Sequence, residues 1–207
     1  MIGIINYGLG NVKSIYNLLL FLNEKVIIVN DAKDFEKVDK LILPGVGSFD
    51  YAIKKIKKAN FLDSLNNQVL IKKKLIMGIC VGMQIMFENS DEGTEKGLGW
   101  LEGKVVKFEK KKNDENIVFP IPHMGWNQIN PLKSSFNIFD NINFNSRFYF
   151  LHSYYCNPKN LEDTMAKTNY IKEFCSVAQK KNIIGIQFHP EKSHKSGLKI
   201  FENFCNI

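Results

Sequence analysis

Short runs of consecutive apolar residues alternate with stretches in which apolar positions recur every three or four residues, and this alternation organises the first half of the chain. Residues 2–6 read as a strand. From about 11 to 23, Val12, Ile15, Tyr16, Leu19 and Leu22 follow helical spacing. Residues 26–29 and 41–43 read as the second and third strands, helical segments fill 48–70, and Leu75-Ile76-Met77 opens a fourth strand at 75–79. Such short apolar strands between helices predict a mostly parallel sheet covered on both faces, a three-layer α/β architecture. The second half changes character. Residues 104–108, 117–119, 126–129, 147–152, 164–168 and 174–179 read as strands joined by loops, an added antiparallel portion. A last strand from Ile183 to Phe188 and a closing helix from Ser193 to Asn206 follow, with Leu198, Phe201 and Phe204 on the expected inward face.

The fourth strand runs into Gly78-Ile79-Cys80-Val81-Gly82, and Met83 to Glu88 reads as helix. A strand–turn–helix elbow needs residues without side chains beside its nucleophile, because two backbone segments pass close together and the turn is strained. It is expected to hold the Cys80 sulfur exposed above the sheet edge, at a helix N-terminus that favours thiolate over thiol. His189-Pro190-Glu191 follows the last strand, which Pro190 ends. Glu191 is placed to accept a hydrogen bond from Nδ1–H of His189, leaving Nε2 to face the thiol. An isolated cysteine reads as a small hydrophobe, and an isolated His-x-Glu is a weak signal. Together, the elbow and the strand-end His-Pro-Glu read as a Cys80–His189–Glu191 acyl-transfer triad.

Pro44-Gly45-Val46-Gly47 follows the third strand. If that strand neighbours the elbow strand, backbone N–H groups of Val46 or Gly47 would join that of Val81 as an oxyanion hole. A plain strand-to-helix turn is the alternative for this motif alone. Gly8-Leu9-Gly10 is not a dinucleotide fingerprint, since Lys13 stands where the third glycine is required.

Composition narrows the class without naming it. A length of 207 residues allows one domain with a sizeable core, and no linker, repeat or low-complexity tract divides 1–207. No stretch approaches the roughly 20 apolar residues of a membrane helix, and no basic leader precedes the first strand. The cysteines Cys80, Cys156, Cys175 and Cys205 show no metal-ligand pairing and are expected to be reduced thiols of a cytoplasmic protein. Net charge is +7, yet Arg147 is the lone arginine. Base readout and phosphate forks lean on arginine, so the lysine groups read as solvated surface and nucleic acid is not the expected partner.

These motifs carry a family resemblance. Gly78–Gln84, Phe188–Glu191 and Pro44–Gly47 together look like a class I glutamine amidotransferase domain, which hydrolyses the side-chain amide of glutamine and passes the ammonia to a synthase. Tyr7–Asn11, Pro122–Asn127, Tyr149–Tyr155 and Glu191-Lys192-Ser193 narrow it: they resemble the glutaminase subunits of imidazole glycerol phosphate synthases, of histidine biosynthesis. The resemblance runs from the first strand to the last helix. It implies the class I amidotransferase fold, one domain over 1–207, glutamine as substrate and no cofactor or metal. Cys80 would be the nucleophile, His189 the proton carrier and Glu191 its orienter. Gln84 resembles the residue that helps hold the substrate amino acid, with Gly47, Ser153 and Tyr154 completing the pocket. Asn11, Trp126, Tyr149 and Lys192 resemble residues facing a cyclase subunit, a (β/α)8 barrel, in a heterodimer. The Pro44–Gly47 loop of this family is thought to rearrange before the oxyanion hole forms, which makes activity depend on the partner. Similar glutaminases serve a cyclase-like synthase that amidates a surface-glycan sugar, and the acceptor is not written in this chain. A stand-alone Cys-His-Glu amidase or peptidase and a non-catalytic regulatory subunit are the remaining alternatives. Gln84 with the aromatic blocks speaks against the first, and the intact triad against the second. Leu151 and Val81 are apolar swaps from the family's expected Val and Leu, and Lys110–Asn116 reads as a charged surface loop.

Overall fold

The computed structural model describes residues 1–110, 119–132, 137–143 and 145–207. Its first half follows the hydrophobic pattern: β1 (Ile2–Ile5), α1 (Val12–Phe21), β2 (Val26–Val29), β3 (Lys40–Gly45), α2 (Phe49–Lys58), α3 (Leu62–Asn66), β4 (Leu75–Cys80) and α4 (Val81–Gln84). The second half adds β5 (Asn89–Ser90), β6 (Gly103–Lys107), β7 (His123–Gln128), β8 (Asn130–Pro131), β9 (Arg147–His152) and β10 (Tyr154–Pro158). β11 (Thr164–Asn169), β12 (Glu173–Lys180), β13 (Ile183–Ile186) and α5 (His194–Asn206) complete it.

One large sheet runs in the order β2-β1-β3-β4-β13-β12-β10-β6-β5, with β11 on β12 and β8 on β11. From β2 to β13 every pairing is parallel. From β13 through β12, β10 and β6 the pairings are antiparallel. All of β1, all of β13 and Leu41–Gly45 of β3 are buried, so both faces of these strands are covered, as a three-layer α/β fold requires. Each fully buried Ile or Leu there contributes roughly 1.5–3 kcal/mol. In α2 the buried residues Phe49, Ala52, Ile53 and Ile56 recur at helical spacing, and Lys54, Lys57 and Lys58 lie exposed on the opposite side. A separate two-stranded sheet, β7 with β9, pairs His123 with His152 and Trp126 with Tyr149.

Four expectations are corrected. The helix expected over Met83–Glu88 is one turn, α4, that ends at Gln84. The carbonyls of Ile85, Met86 and Phe87 accept instead from the N–H groups of Leu98, Trp100, Leu101 and Gly99, so a crossing segment replaces the next helical turn. The strand expected at 126–129 begins at His123, because its inward positions are His, Gly and Asn, which no apolar alternation marks. β10 follows β9 after Ser153 alone and was not foreseen, since the two read as one run. In α5, Ile200 joins Phe201 and Phe204 inside, whereas Leu198 is half-buried. The strand expected at 117–119 and the Lys110–Asn116 loop lie largely outside the described residues. Among the described residues no helix is long and apolar enough to cross a membrane.

Candidate active site

β4 delivers Cys80 at the sheet edge with φ 54° and ψ −112°. A non-glycine residue in that region carries about 1–3 kcal/mol of strain, which the surroundings must hold in place. They do so by close backbone approach. Gly45 of β3 pairs with Cys80 of β4. A Cβ on Gly82 would lie 1.9 Å from the Leu43 carbonyl oxygen, and one on Gly45 would lie 2.3 Å from the Gly82 nitrogen. The end of β3 is braced from the other side by Tyr7, whose hydroxyl donates to the Pro44 carbonyl at 2.7 Å. The Pro44–Gly47 segment therefore lies beside Cys80.

The parallel pairing of β13 with β4 aligns Ile186 with Ile79, which brings the residues just beyond β13 to Cys80. His189 is pinned through its backbone. Its N–H donates to the Tyr149 carbonyl at 2.8 Å, and the Ser193 hydroxyl donates to its carbonyl at 2.6 Å while accepting from Tyr149 N–H at 3.0 Å. Nδ1 of His189 is 2.8 Å from Glu191 Oε1, both side chains being 2% exposed. Asn11 Nδ2 donates to the same oxygen at 2.7 Å. Burial opposes a charged imidazole, but hydrogen bonds to Cys80 and Glu191 outweigh it and raise His189 from 6.5 to about 10. Burial likewise opposes the Glu191 carboxylate. The His189 hydrogen bond and charge, with Asn11, nevertheless hold it below the usual range. With Nδ1 turned to Glu191, Nε2 is the nitrogen left for the sulfur. This geometry can carry a proton between a sulfur nucleophile and a leaving group.

Cys80 and His189 line a cavity of ≈270 Å³ together with Val46, Gly47, Val81, Gln84, Ser153 and Tyr154. The sulfur was expected to stand exposed above the sheet; Cys80 is 4% exposed and opens into this cavity. Gln84 Nε2 donates to the Tyr154 carbonyl and to Gln187 Oε1, both at 3.1 Å. Gln187 Nε2 in turn points at Cys80 Sγ from 3.8 Å. Among the described residues no three His, Cys, Asp or Glu side chains gather as a metal site.

The model of the glutamine amidotransferase class-I family matches residues 3–207. The chain belongs to that family. Similar proteins are imidazole glycerol phosphate synthase subunit HisH 2 of Pseudomonas aeruginosa, 42% identical over all of both chains, and the HisH 2 subunit of Methanococcus maripaludis, 46% identical over 99% of this chain and 98% of that one. The PurLQS structure from Thermotoga maritima shares the fold at TM-score 0.70 and 17% identity, covering 99% of this chain and 97% of that one.

In this class-I amidotransferase the residues expected to bind or react fall around one cavity, and those expected to face a partner fall outside it. Trp126 is 43% exposed on β7, stacked on His194 with centroids 5.0 Å apart, and the Lys192 ammonium lies 5.6 Å over the Tyr149 ring. Met124, 66% exposed, extends the same outward face, and Leu151, 37% exposed, lies at the cavity mouth. Asn11 differs from its expected neighbours, being half-buried and bonded to Glu191. Sequence reading missed Glu92, whose carboxylate accepts from Phe49 N–H at 2.7 Å at the cavity wall, and His152, also on that wall. Glu92 carries no local motif. His152 was visible as part of the Tyr149–Tyr155 block, but no pattern assigned it a task.

Proposed function

We propose that this chain, as one domain over 1–207, is the cytoplasmic glutaminase subunit of an imidazole glycerol phosphate synthase, paired as a heterodimer with a (β/α)8-barrel cyclase of histidine biosynthesis. The Cys80 thiolate attacks the side-chain carbonyl carbon of glutamine, and the oxyanion is received by backbone N–H groups of Val46 or Gly47 and Val81. Collapse breaks the C–N bond as His189 gives its proton to the departing ammonia, leaving a γ-glutamyl thioester. His189 then takes a proton from water, hydroxide adds to the thioester, and glutamate leaves as the thiolate is restored. Glu191 holds the imidazole in one tautomer throughout. Gln84, Gly47, Ser153 and Tyr154 surround the substrate, and the Glu92 carboxylate supplies a negative charge suited to its α-ammonium group.

The observation that carries this reading is the His189–Glu191 contact of 2.8 Å on the wall of the cavity that holds Cys80. The β7–β9 sheet, with Trp126 and Tyr149 outward, offers an apolar face to the barrel, and the ammonia passes across to make imidazole glycerol phosphate and AICAR there. The test is glutamine hydrolysis by the chain alone and with a cognate cyclase and its ligand. Hydrolysis should be slow alone and rise roughly 10–100-fold in the complex. Equal activity without partner contradicts the dependence on the cyclase. Stimulation by a sugar-amidating synthase instead would move the acceptor and leave the glutaminase chemistry standing.

A further inference from the structure

Two histidines outside the triad, His123 and His152, are almost as buried as the triad itself, at 3% and 6% exposure. Their hydrogen bonds run in one direction that a single group decides. The Tyr154 carbonyl oxygen can only accept, and His152 Nδ1 lies 2.8 Å from it, so Nδ1 carries the hydrogen and Nε2 is an acceptor. His123 Nδ1, 3.0 Å from that Nε2, must donate. His123 Nε2 is then the acceptor for Asn127 Nδ2 at 3.3 Å, and Asn127 gives its other amide hydrogen to the Asn169 carbonyl at 2.8 Å. The same Tyr154 carbonyl accepts from Gln84, whose second N–H goes to Gln187. Both Nε2 hydrogens of Gln84 are committed, which fixes its amide in one orientation inside the cavity.

The rings have little freedom to turn. His123 is stacked between Phe150 and Tyr170, with centroids 4.8 and 4.0 Å away. Burial lowers His123 to about 4 and His152 to about 3, so both stay neutral and keep their tautomers near neutral pH. Their place in the fold gives the pair its meaning. His123 and Asn127 face inward on β7 while Met124 and Trp126 face outward, and on β9 His152 is buried on the same side as Phe148 and Phe150.

We propose that His123 and His152 are positioning residues, a fixed-tautomer strut that holds the Tyr154 carbonyl, and through it the Gln84 amide, at the glutamine pocket. The strut ties that pocket to the inner face of the strand pair whose outer face meets the partner. This rests on the glutaminase reading. The pair touches no reacting atom in the proposed chemistry and acts through Tyr154 and Gln84.

Asparagine places its amide nitrogen near the position of a histidine Nδ1, whereas glutamine places its polar end near Nε2. The test therefore compares His152→Asn with His152→Gln, and His123→Asn with His123→Gln, in the complex with the cyclase. The measurements are KM and kcat for glutamine, ammonia-dependent turnover, and thermal melting of each variant. At both positions the glutamine variant should raise KM for glutamine about tenfold, the scale of one lost buried hydrogen bond, and the asparagine variant should stay within about threefold of wild type. Ammonia-dependent turnover should stay within about twofold in all four, since it bypasses the pocket. A role in filling space alone predicts the reverse order, because glutamine is nearer histidine in size. Glutamine variants equal to or better than asparagine variants, or losses shared by ammonia-dependent turnover, overturn the proposal. If the other pair does not fold, either pair suffices to decide. A wild-type complex that hydrolyses no glutamine removes the underlying reading instead, and is seen before any variant is made.

Discussion

Cys80 combines a strained backbone with a nearly closed environment, and both follow from its neighbours more than from the cysteine. Its φ of 54° is held by the glycines on either side, and it opens into the cavity. His189 is the residue whose charge this environment alters most usefully. Its imidazolium is stabilised below about pH 10 and is lost as pH rises through that value. Glu191 supplies one of the two raising interactions, so Glu191→Gln should let His189 lose its proton at lower pH. The alkaline limb of glutamine-dependent kcat/KM should then move toward neutral by on the order of one pH unit. An alkaline limb that stays in place would show that Glu191 does not tune His189. The grouping of Cys80, His189 and Glu191 was legible in the sequence because each sits in a local motif, an elbow or a strand end. The contacts of Asn11 and Gln187, and the His123–His152 pair, were not legible. Asn11 reaches Glu191 across 180 residues, and Gln187 meets Cys80 through strand register. Both are facts of packing that no spacing in the chain encodes.

The elbow works as an element because β3 and α4 touch backbone to backbone. Gly82→Ala would put a methyl group 1.9 Å from the Leu43 carbonyl, and neither partner is a flexible side chain. The two segments must part, and urea unfolding should show a loss of about 3 kcal/mol. A loss below about 0.5 kcal/mol would mean that β3 and α4 are free to separate, and the contact would not explain the strain at Cys80. Strands buried on both faces, such as β1 and β4, were readable as apolar runs. β7 was only partly readable because its inward residues His123 and Asn127 are polar and hydrogen-bonded and Gly125 has no side chain, and α4 was overestimated because Leu98–Leu101 captures the carbonyls that would have continued it.

Across the molecule, the parallel half of the sheet places Cys80 and His189, the proposed nucleophile and base, at the ends of neighbouring strands. The antiparallel half and the β7–β9 sheet close the other side of the cavity. One wall thus has two duties, lining the cavity with Leu151, His152, Ser153 and Tyr154 and presenting Met124 and Trp126 outside. That arrangement suits an enzyme whose product is used by another protein. The architecture was legible from the order of strands and helices, and β9 from its aromatic run, whereas the inward turn of His123 and Asn127 on β7 was not, since no apolar alternation marks it. As proposed, Cys80 is the source of ammonia from glutamine and has no part in what the partner does with it. The direct measurement is synthase turnover by the complex carrying Cys80→Ala, with glutamine and then with ammonium salt as nitrogen source. Glutamine-dependent turnover should fall on the order of 10³-fold or more, with ammonia-dependent turnover within about twofold of wild type. Loss of both, or survival of the glutamine-dependent reaction, would contradict the account.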